Sequence, residues 1–263
     1  MDWMLDSSGL GRLFGGKVFV VYERHGVDLT TLGTVQLQHR VNNSLHLINY
    51  TNNKSAQGCK VTAHDLRPNP HAAANPSLHC IQGDISSETS IQDSISQAIA
   101  HFSQPINILC ANAGITDESS SYPIWDMPSS LWDRTYTVNV KGTFLTIKHF
   151  LKSIETAQST TGEEVQNVSV VVTGSECGVF GQAGHVEYAS GKAGLQYGLV
   201  KTVKNEIVRL NRKARINAVA PGWVNTKLIE GRLDDPGEMW REAEATYGIP
   251  LLWSSVFSQT DFY

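Results

Sequence analysis

Short apolar runs rich in β-branched residues recur along the chain, each closed by a turn or polar residue. They are Gly15 to Val21, Gly58 to Asp65, Leu78 to Ser86, Ile106 to Ala111, Val168 to Val172 and Arg215 to Val219. Helical stripes fill several of the gaps. Ile91, Ile95, Ile99 and Phe102 recur at spacings of four, four and three. This is one core-facing stripe, which Ser86 or Ser87 can cap and Pro105 ends. Pro128-Ser129 opens another helix. Val140, Phe144, Ile147, Leu151 and Ile154 then alternate by four and three, so a long amphipathic helix runs through Asn139. From Tyr188, the series Leu195, Leu199, Val203, Ile207, Leu210 marks a third long helix. Arg209, Arg212 and Lys213 suit its C-terminal end. Strands alternating with helices over this length predict an α/β fold with a doubly wound, mostly parallel sheet flanked by helices.

A chain of 263 residues can hold one such domain with a sizeable core, and 1–263 is expected to form a single unit. Hydrophobic content of 41% and charge content of 17% suit a soluble globular protein. A net charge of −4 gives no electrostatic reason to expect nucleic acid or an anionic membrane surface. No apolar run approaches the roughly 20 residues that span a bilayer. The acidic start, Met1 to Asp6, lacks the basic region of a signal peptide, and a cytoplasmic protein is expected. Cys59, Cys80, Cys110 and Cys177 are far apart and are expected to be reduced, buried thiols. The nine histidines form no ligand cluster and are taken as surface or core fillers; no metal is expected.

Ligands of doubly wound sheets bind outside the carboxyl ends of the strands. Asp84, Asn112, Ser175 and Pro221 all close predicted strands. The richest of these ends is Val170-Val171-Val172-Thr173-Gly174-Ser175, followed by Tyr188-Ala189-Ser190-Gly191-Lys192. An i, i+4 spacing puts Tyr188 and Lys192 on one helix face. If strand end and helix start face each other, a hydroxyl, a phenol and an ammonium converge, a set suited to proton transfer. Structural readings stand beside these: Asp84 as a helix cap, Asn112 as a turn former, Asn139 as a solvated helix residue. Glu176 and Cys177 are read either as lining the pocket rim or as plain loop.

These residues resemble the short-chain dehydrogenase/reductase family. The resemblance rests on Asp84, the Asn112-Ala113-Gly114 turn, Asn139, Ser175, Tyr188-x-x-x-Lys192 and Pro221 to Thr226, in family order across residues 78–228. It implies a single Rossmann domain and an NAD(P)-dependent oxidoreductase interconverting a secondary alcohol and a ketone. Tyr188 would be the general acid/base, and Lys192 would lower its pKa and bind the nicotinamide ribose. Ser175 would polarise the substrate oxygen, and Asn139 would position a water in a proton relay. Asp84 and Asn112 would lie along the adenosine, Val224 and Thr226 at the nicotinamide end, and Lys141 near the cofactor. Asp65 closes the second strand, where a carboxylate can bind both ribose hydroxyls of NAD, or merely cap a turn. Arg67 leaves NADP open. The substrate would be a small-molecule alcohol or ketone, with no nucleic-acid or membrane partner.

The chain also departs from that pattern. The family's Gly-rich turn, which sets backbone N–H groups against the cofactor pyrophosphate, is missing after Val21. Residues 22–58, 37 in all with five asparagines, read as foreign sequence replacing the first helix. The tail, 252–263, diverges where relatives place a last strand, so a homo-oligomer would lack part of its usual interface. Met239 to Ala245 keeps the look of a substrate lid. A second expectation follows: a cofactor-binding-impaired, inactive homologue or aberrant splice product, acting at most as a binding or regulatory protein.

Overall fold

The computed structural model describes residues 18–21, 59–66, 76–117 and 120–222. The segment 22–58, Arg67, Val224, Thr226, the lid segment and the tail lie outside these. Among the described residues six strands form one sheet: β1 Val18–Val21, β2 Val61–Asp65, β3 Leu78–Gln82, β4 Ile108–Ala111, β5 Ser169–Thr173 and β6 Arg215–Val219. All neighbours pair in parallel, in the order β3-β2-β1-β4-β5-β6. This is the dinucleotide-binding order, and it reverses between β1 and β4. In sheets of this kind ligands bind outside the carboxyl ends of the strands at such a reversal, and Asn112 follows the carboxyl end of β4.

The helices are α1 Glu88–Phe102, α2 Ser129–Thr135, α3 Thr143–Thr161, α4 Cys177–Phe180, α5 Val186–Ala193 and α6 Val200–Leu210. Two π-helical segments interrupt them: Tyr136–Gly142 joins α2 to α3, and Gly194–Leu199 joins α5 to α6. Ser87 caps α1, accepting from the Ser90 N–H, as the sequence allows. That helix ends two residues before Pro105, at Ser103, whose left-handed backbone (φ 52) turns the chain back. Strand side chains alternate between faces. Leu109, Ala111, Val170, Val172 and Ile216 meet α1, α3 and α6 through Ile91, Ile95, Phe150, Ile154 and Ile207. Val61, Ala63, Ile108 and Cys110, of the opposite parity, form a smaller cluster on the other face.

One expected core residue turns outward. Phe144 is 48% exposed, while Leu145 beside it is 2% exposed. The π-helical segment just before it holds an extra residue per turn, which shifts the apolar stripe by about one position. The cysteines are only partly as expected: Cys59 and Cys110 are buried, Cys80 and Cys177 are not, and none of the four is in a disulfide. Among the described residues no helix is long and apolar enough to cross a membrane, and no group of three or more His, Cys, Asp or Glu is placed to hold a metal.

The end of the first π segment packs closely on the turn after β3. A Cβ on Gly142 would lie 2.6 Å from Cδ1 and 2.8 Å from Cγ1 of buried Ile85. Gly142→Val is therefore expected to destabilise the protein by about 2 kcal/mol, because overpacking outweighs a helix-propensity gain of roughly 0.4 kcal/mol. An unchanged melting temperature would show that this contact is slack.

Candidate active site

The carboxyl ends of β4 and β5 and the start of α5 build one buried polar cluster. Beyond β4 the chain runs on through Asn112-Ala113-Gly114, which the structure holds as a connection with no hydrogen-bonded turn. The Asn112 Oδ1 accepts from the Thr173 hydroxyl at 2.8 Å, which ties the ends of β4 and β5 together. Its Nδ2 is buried and has no hydrogen-bond partner. A buried amide donor left unmet is unusual in a folded protein and marks this strand end. Asn112 is thus a cross-strand tie and no turn former.

Asn139 lies in the first π segment and is 1% exposed. Its Oδ1 accepts the Ile115 N–H and its Nδ2 donates to the Ile115 carbonyl, both at 2.7 Å. This reciprocal pair clamps the segment after Asn112 to the helix, so Asn139 is no solvated helix residue. The side-chain amide is thus committed to Ile115.

Lys192 is 4% exposed, and its ammonium donates to the Thr173 carbonyl at 2.8 Å. The same ammonium stands 5.6 Å from the centre of the Tyr188 ring. Burial pushes its pKa down from 10.5 to about 8, opposed by the nearby Cys177 thiol. At neutral pH the group is therefore a cation held in a poorly solvated place. Gly114 packs against both groups: a Cβ there would lie 3.5 Å from the Lys192 Nζ, an ordinary contact, and 3.3 Å from the Asn139 Oδ1, a tight one. Tyr188 is itself buried, 8% exposed, one helical turn before the lysine. The helix carrying both begins at Val186, two residues earlier than the sequence stripe suggests.

Ser175 follows β5 at the same edge. Its hydroxyl oxygen accepts the Cys177 N–H at 3.3 Å, and its own N–H donates to the Gln196 Oε1 at 3.0 Å. The Cys177 thiol donates to the Gln182 Oε1 at 3.1 Å. The Glu176 carboxylate leans onto Gly222, where a Cβ would meet it at 2.5 Å. Both therefore help shape the loop around Ser175. Sequence reasoning missed Gln196, Thr173 and Ile115. A signal for Gln196 was available: it follows Lys192 by four residues, as Lys192 follows Tyr188, giving a polar stripe on an otherwise apolar helix.

Asp84 closes β3. Its Oδ1 accepts both the N–H and the hydroxyl of Ser86, at 2.8 and 2.7 Å, so it shapes the turn while Ser87 performs the helix capping. Asp65 ends β2 opposite Gln82 of β3, and its carbonyl accepts the Gly83 N–H at 2.9 Å. Lys141 is exposed on the first π segment, with no hydrogen bond to the Ser175–Tyr188–Lys192 cluster. The structure thus gathers Asn112, Asn139, Ser175, Tyr188 and Lys192 at one place and strings Asp84 and Asp65 along the neighbouring strand ends. Val224 and Thr226 fall outside the described residues.

Comparison with known proteins agrees with this architecture. The family model for short chain dehydrogenases matches residues 50–236. Cis-4-hydroxycyclohexanecarboxylate dehydrogenase of Sinomonas cyclohexanicum is 29% identical over 67% of this chain and 63% of its own length. The 3-oxoacyl-(acyl-carrier-protein) reductase FabG of Thermotoga maritima is 33% identical over 48% of this chain and 45% of its own. The (3R)-3-hydroxyacyl-CoA dehydrogenase of Mus musculus is 30% identical over 57% of this chain and 52% of its own. The chain spans less than two thirds of the length of each of these three. Among solved structures, the 3-ketoacyl-(acyl-carrier-protein) reductase of Brucella melitensis, complexed with NADH, superposes with a TM-score of 0.62. It is 18% identical, over 83% of this chain and 80% of that one. NAD+-bound xylitol dehydrogenase gives a TM-score of 0.60 at 20% identity, over 90% of this chain and 77% of that one. At such identities the likeness is one of fold. By its strand order, its matched family model and its named relatives, the chain belongs to the short-chain dehydrogenase family.

Proposed function

We propose that the chain is an NAD(P)-dependent oxidoreductase that interconverts a secondary alcohol and a ketone, with Tyr188 as the general acid/base. The observation that carries this reading is the buried Lys192 ammonium 5.6 Å from the Tyr188 ring centre. A free phenol, with a pKa near 10, is a poor base at neutral pH. A cation in a weakly solvated site favours the phenolate and moves the phenol toward the working range. The Thr173 carbonyl fixes where that cation sits. Ser175, two residues beyond Thr173, orients the substrate oxygen toward the phenol by hydrogen bonding. The proton then passes between the Tyr188 oxygen and the substrate oxygen, with Lys192 stabilising the charge that remains on the tyrosine.

The described residues fit a nicotinamide dinucleotide. The half-satisfied Asn112 amide and the Lys192 ammonium, both next to Thr173, lie beside the strand-order reversal, where such sheets bind dinucleotides. Lys192 and Tyr188 would hold the nicotinamide ribose, Asn112 and Asp84 the adenosine side, and Lys141, Val224 and Thr226 would add contacts at the rim. When bound, such a cofactor supplies the hydride chemistry. Asp65 at the end of β2 favours a free ribose diol and hence NAD. Three solved structures similar to this chain carry NAD or NADH. The reading of an impaired or regulatory homologue draws no support from the relatives, which are named as dehydrogenases and reductases.

Fluorescence titration of the purified chain with NADH and with NADPH tests this reading. Saturable binding, tighter for NADH, is expected. No binding of either cofactor at millimolar concentration would defeat the enzyme reading.

A further inference from the structure

We propose that Gln196 is a positioning residue for the reaction, fixing Ser175 to the helix that carries Tyr188 and Lys192. The inference rests on the reading of Ser175 as the residue that orients substrate. Three consecutive N–H groups hold the serine turn. The Gly174 N–H donates to the Val219 carbonyl at 2.7 Å and the Glu176 N–H to the Pro221 carbonyl at 3.0 Å, so both neighbours are tied to the end of β6. The middle one, on Ser175, points the other way and donates to the Gln196 Oε1 at 3.0 Å. Gln196 is thus the one side chain that joins the serine to the helix of the acid/base among the described hydrogen bonds of this turn.

The turn is shaped around that amide. A Cβ on Gly174 would lie 2.1 Å from the Gln196 Oε1, and a Cβ on Gly178 would lie 2.8 Å from its Nε2. Side chains at either position would displace the amide, so two glycines flank the serine at the places where the glutamine enters. Gln196 is 7% exposed, which removes competing water from its bond to the Ser175 N–H.

The helix geometry explains how a residue at this position reaches the turn. Gln196 lies within the π-helical segment Gly194–Leu199. In an α-helix each residue advances by about 100°, and i→i+5 bonding winds each residue by less. Gln196 is thereby turned back toward the face that carries Tyr188 and Lys192. The segment immediately follows the helix that ends at Ala193. Serine and tyrosine are consequently set relative to one another through a short path: Ser175 backbone, Gln196 amide, one stretch of helix. Errors of about 1 Å in such settings can cost on the order of 100-fold in rate.

The test is a double-mutant cycle with Gln196→Met, which keeps the length and removes the acceptor, and Ser175→Ala. Turnover of a responsive alcohol, NADH affinity and near-ultraviolet circular dichroism are read for each variant. Gln196→Met is expected to lower kcat by about 10- to 100-fold with NADH affinity and spectrum unchanged. The same change in the Ser175→Ala background is expected to cost almost nothing further. Gln196→Glu, which retains an acceptor for the Ser175 N–H, is expected to restore part of kcat. A full-rate Gln196→Met beside a crippled Ser175→Ala overturns this proposal and leaves the reaction reading standing. A full-rate Ser175→Ala overturns the reaction reading itself. Losses that multiply independently in the double variant also overturn the proposal. Should Gln196→Met fail to fold, Gln196→Asn, with the amide kept and its reach shortened, supplies the same cycle.

Discussion

Tyr188→Phe is expected to abolish measurable turnover while leaving NADH affinity nearly unchanged. The substitution removes one oxygen and keeps the ring, so the packing of a residue only 8% exposed is retained. The Lys192 ammonium keeps its distance from the ring and its bond to the Thr173 carbonyl, because neither depends on the phenol oxygen. What disappears is the group proposed to give and take the substrate proton. A positioned acid/base contributes typically 10²- to 10⁴-fold. Here the loss falls at the upper end, since no other described side chain combines a titratable oxygen with the buried ammonium. The measurement pairs NADH absorbance over a panel of secondary alcohols and ketones with calorimetric titration of the cofactor. Turnover within tenfold of wild type would remove Tyr188 from the catalytic role. Lost turnover together with lost cofactor affinity would assign it to binding instead.

Strand positions were legible because apolar β-branched runs are a local signal. Val168 to Val172 anticipates Ser169–Thr173 with a one-residue offset, and Arg215–Val219 agrees throughout. The order of the strands was not legible, since pairing β1 with β4 joins residues about ninety positions apart. Tyr188 and Lys192 were legible through their helical spacing, and Ser175 through its strand end. The tie between them was not. It depends on a glutamine amide inside a π-helical segment, and the apolar stripe on either side of that segment reads as ordinary helix. The first π segment misled in the same way: one extra residue per turn sends Phe144 outward and Leu145 inward, a change that a repeat of four and three cannot register. The short helix Cys177–Phe180 has no periodicity to detect, being a single turn held by bonds from Val179 and Phe180 N–H groups to the Glu176 carbonyl. Site geometry is thus set where regular helix geometry fails, which is where periodicity carries least information.

Lys192→Met is expected to move stability and activity in opposite directions. Burial lowers the Lys192 pKa from 10.5 to about 8, with Cys177 opposing. The folded protein therefore binds this proton more weakly than the unfolded chain does. Keeping the lysine charged in the folded state at neutral pH costs on the order of 3 kcal/mol. Methionine has a similar length and no charge, so the substitution removes that cost. It also strips the Thr173 carbonyl of a charged donor, a loss of roughly 1.5 kcal/mol. The desolvation cost is the larger, so the melting temperature of the cofactor-free protein should rise by several degrees at neutral pH. Between pH 8 and 10.5 the unfolded lysine is protonated while the folded one is losing its proton. The unfolded state then binds more protons, and this group makes wild-type stability increase with pH across that window. Below about pH 8 the lysine is charged in both states and its slope vanishes. Melting curves of wild type minus Lys192→Met isolate this group from other titrations. The gap is expected to favour the variant at neutral pH and to narrow toward pH 10.5. A variant less stable at neutral pH, with a gap that does not change with pH, would show that the ammonium is better solvated than its burial implies. Turnover is expected to collapse in the same variant, since the phenolate of Tyr188 then has no cation beside it. The site thus keeps a charge that the fold alone would be better without, and that cost falls on the residue whose charge the proposed proton transfer requires.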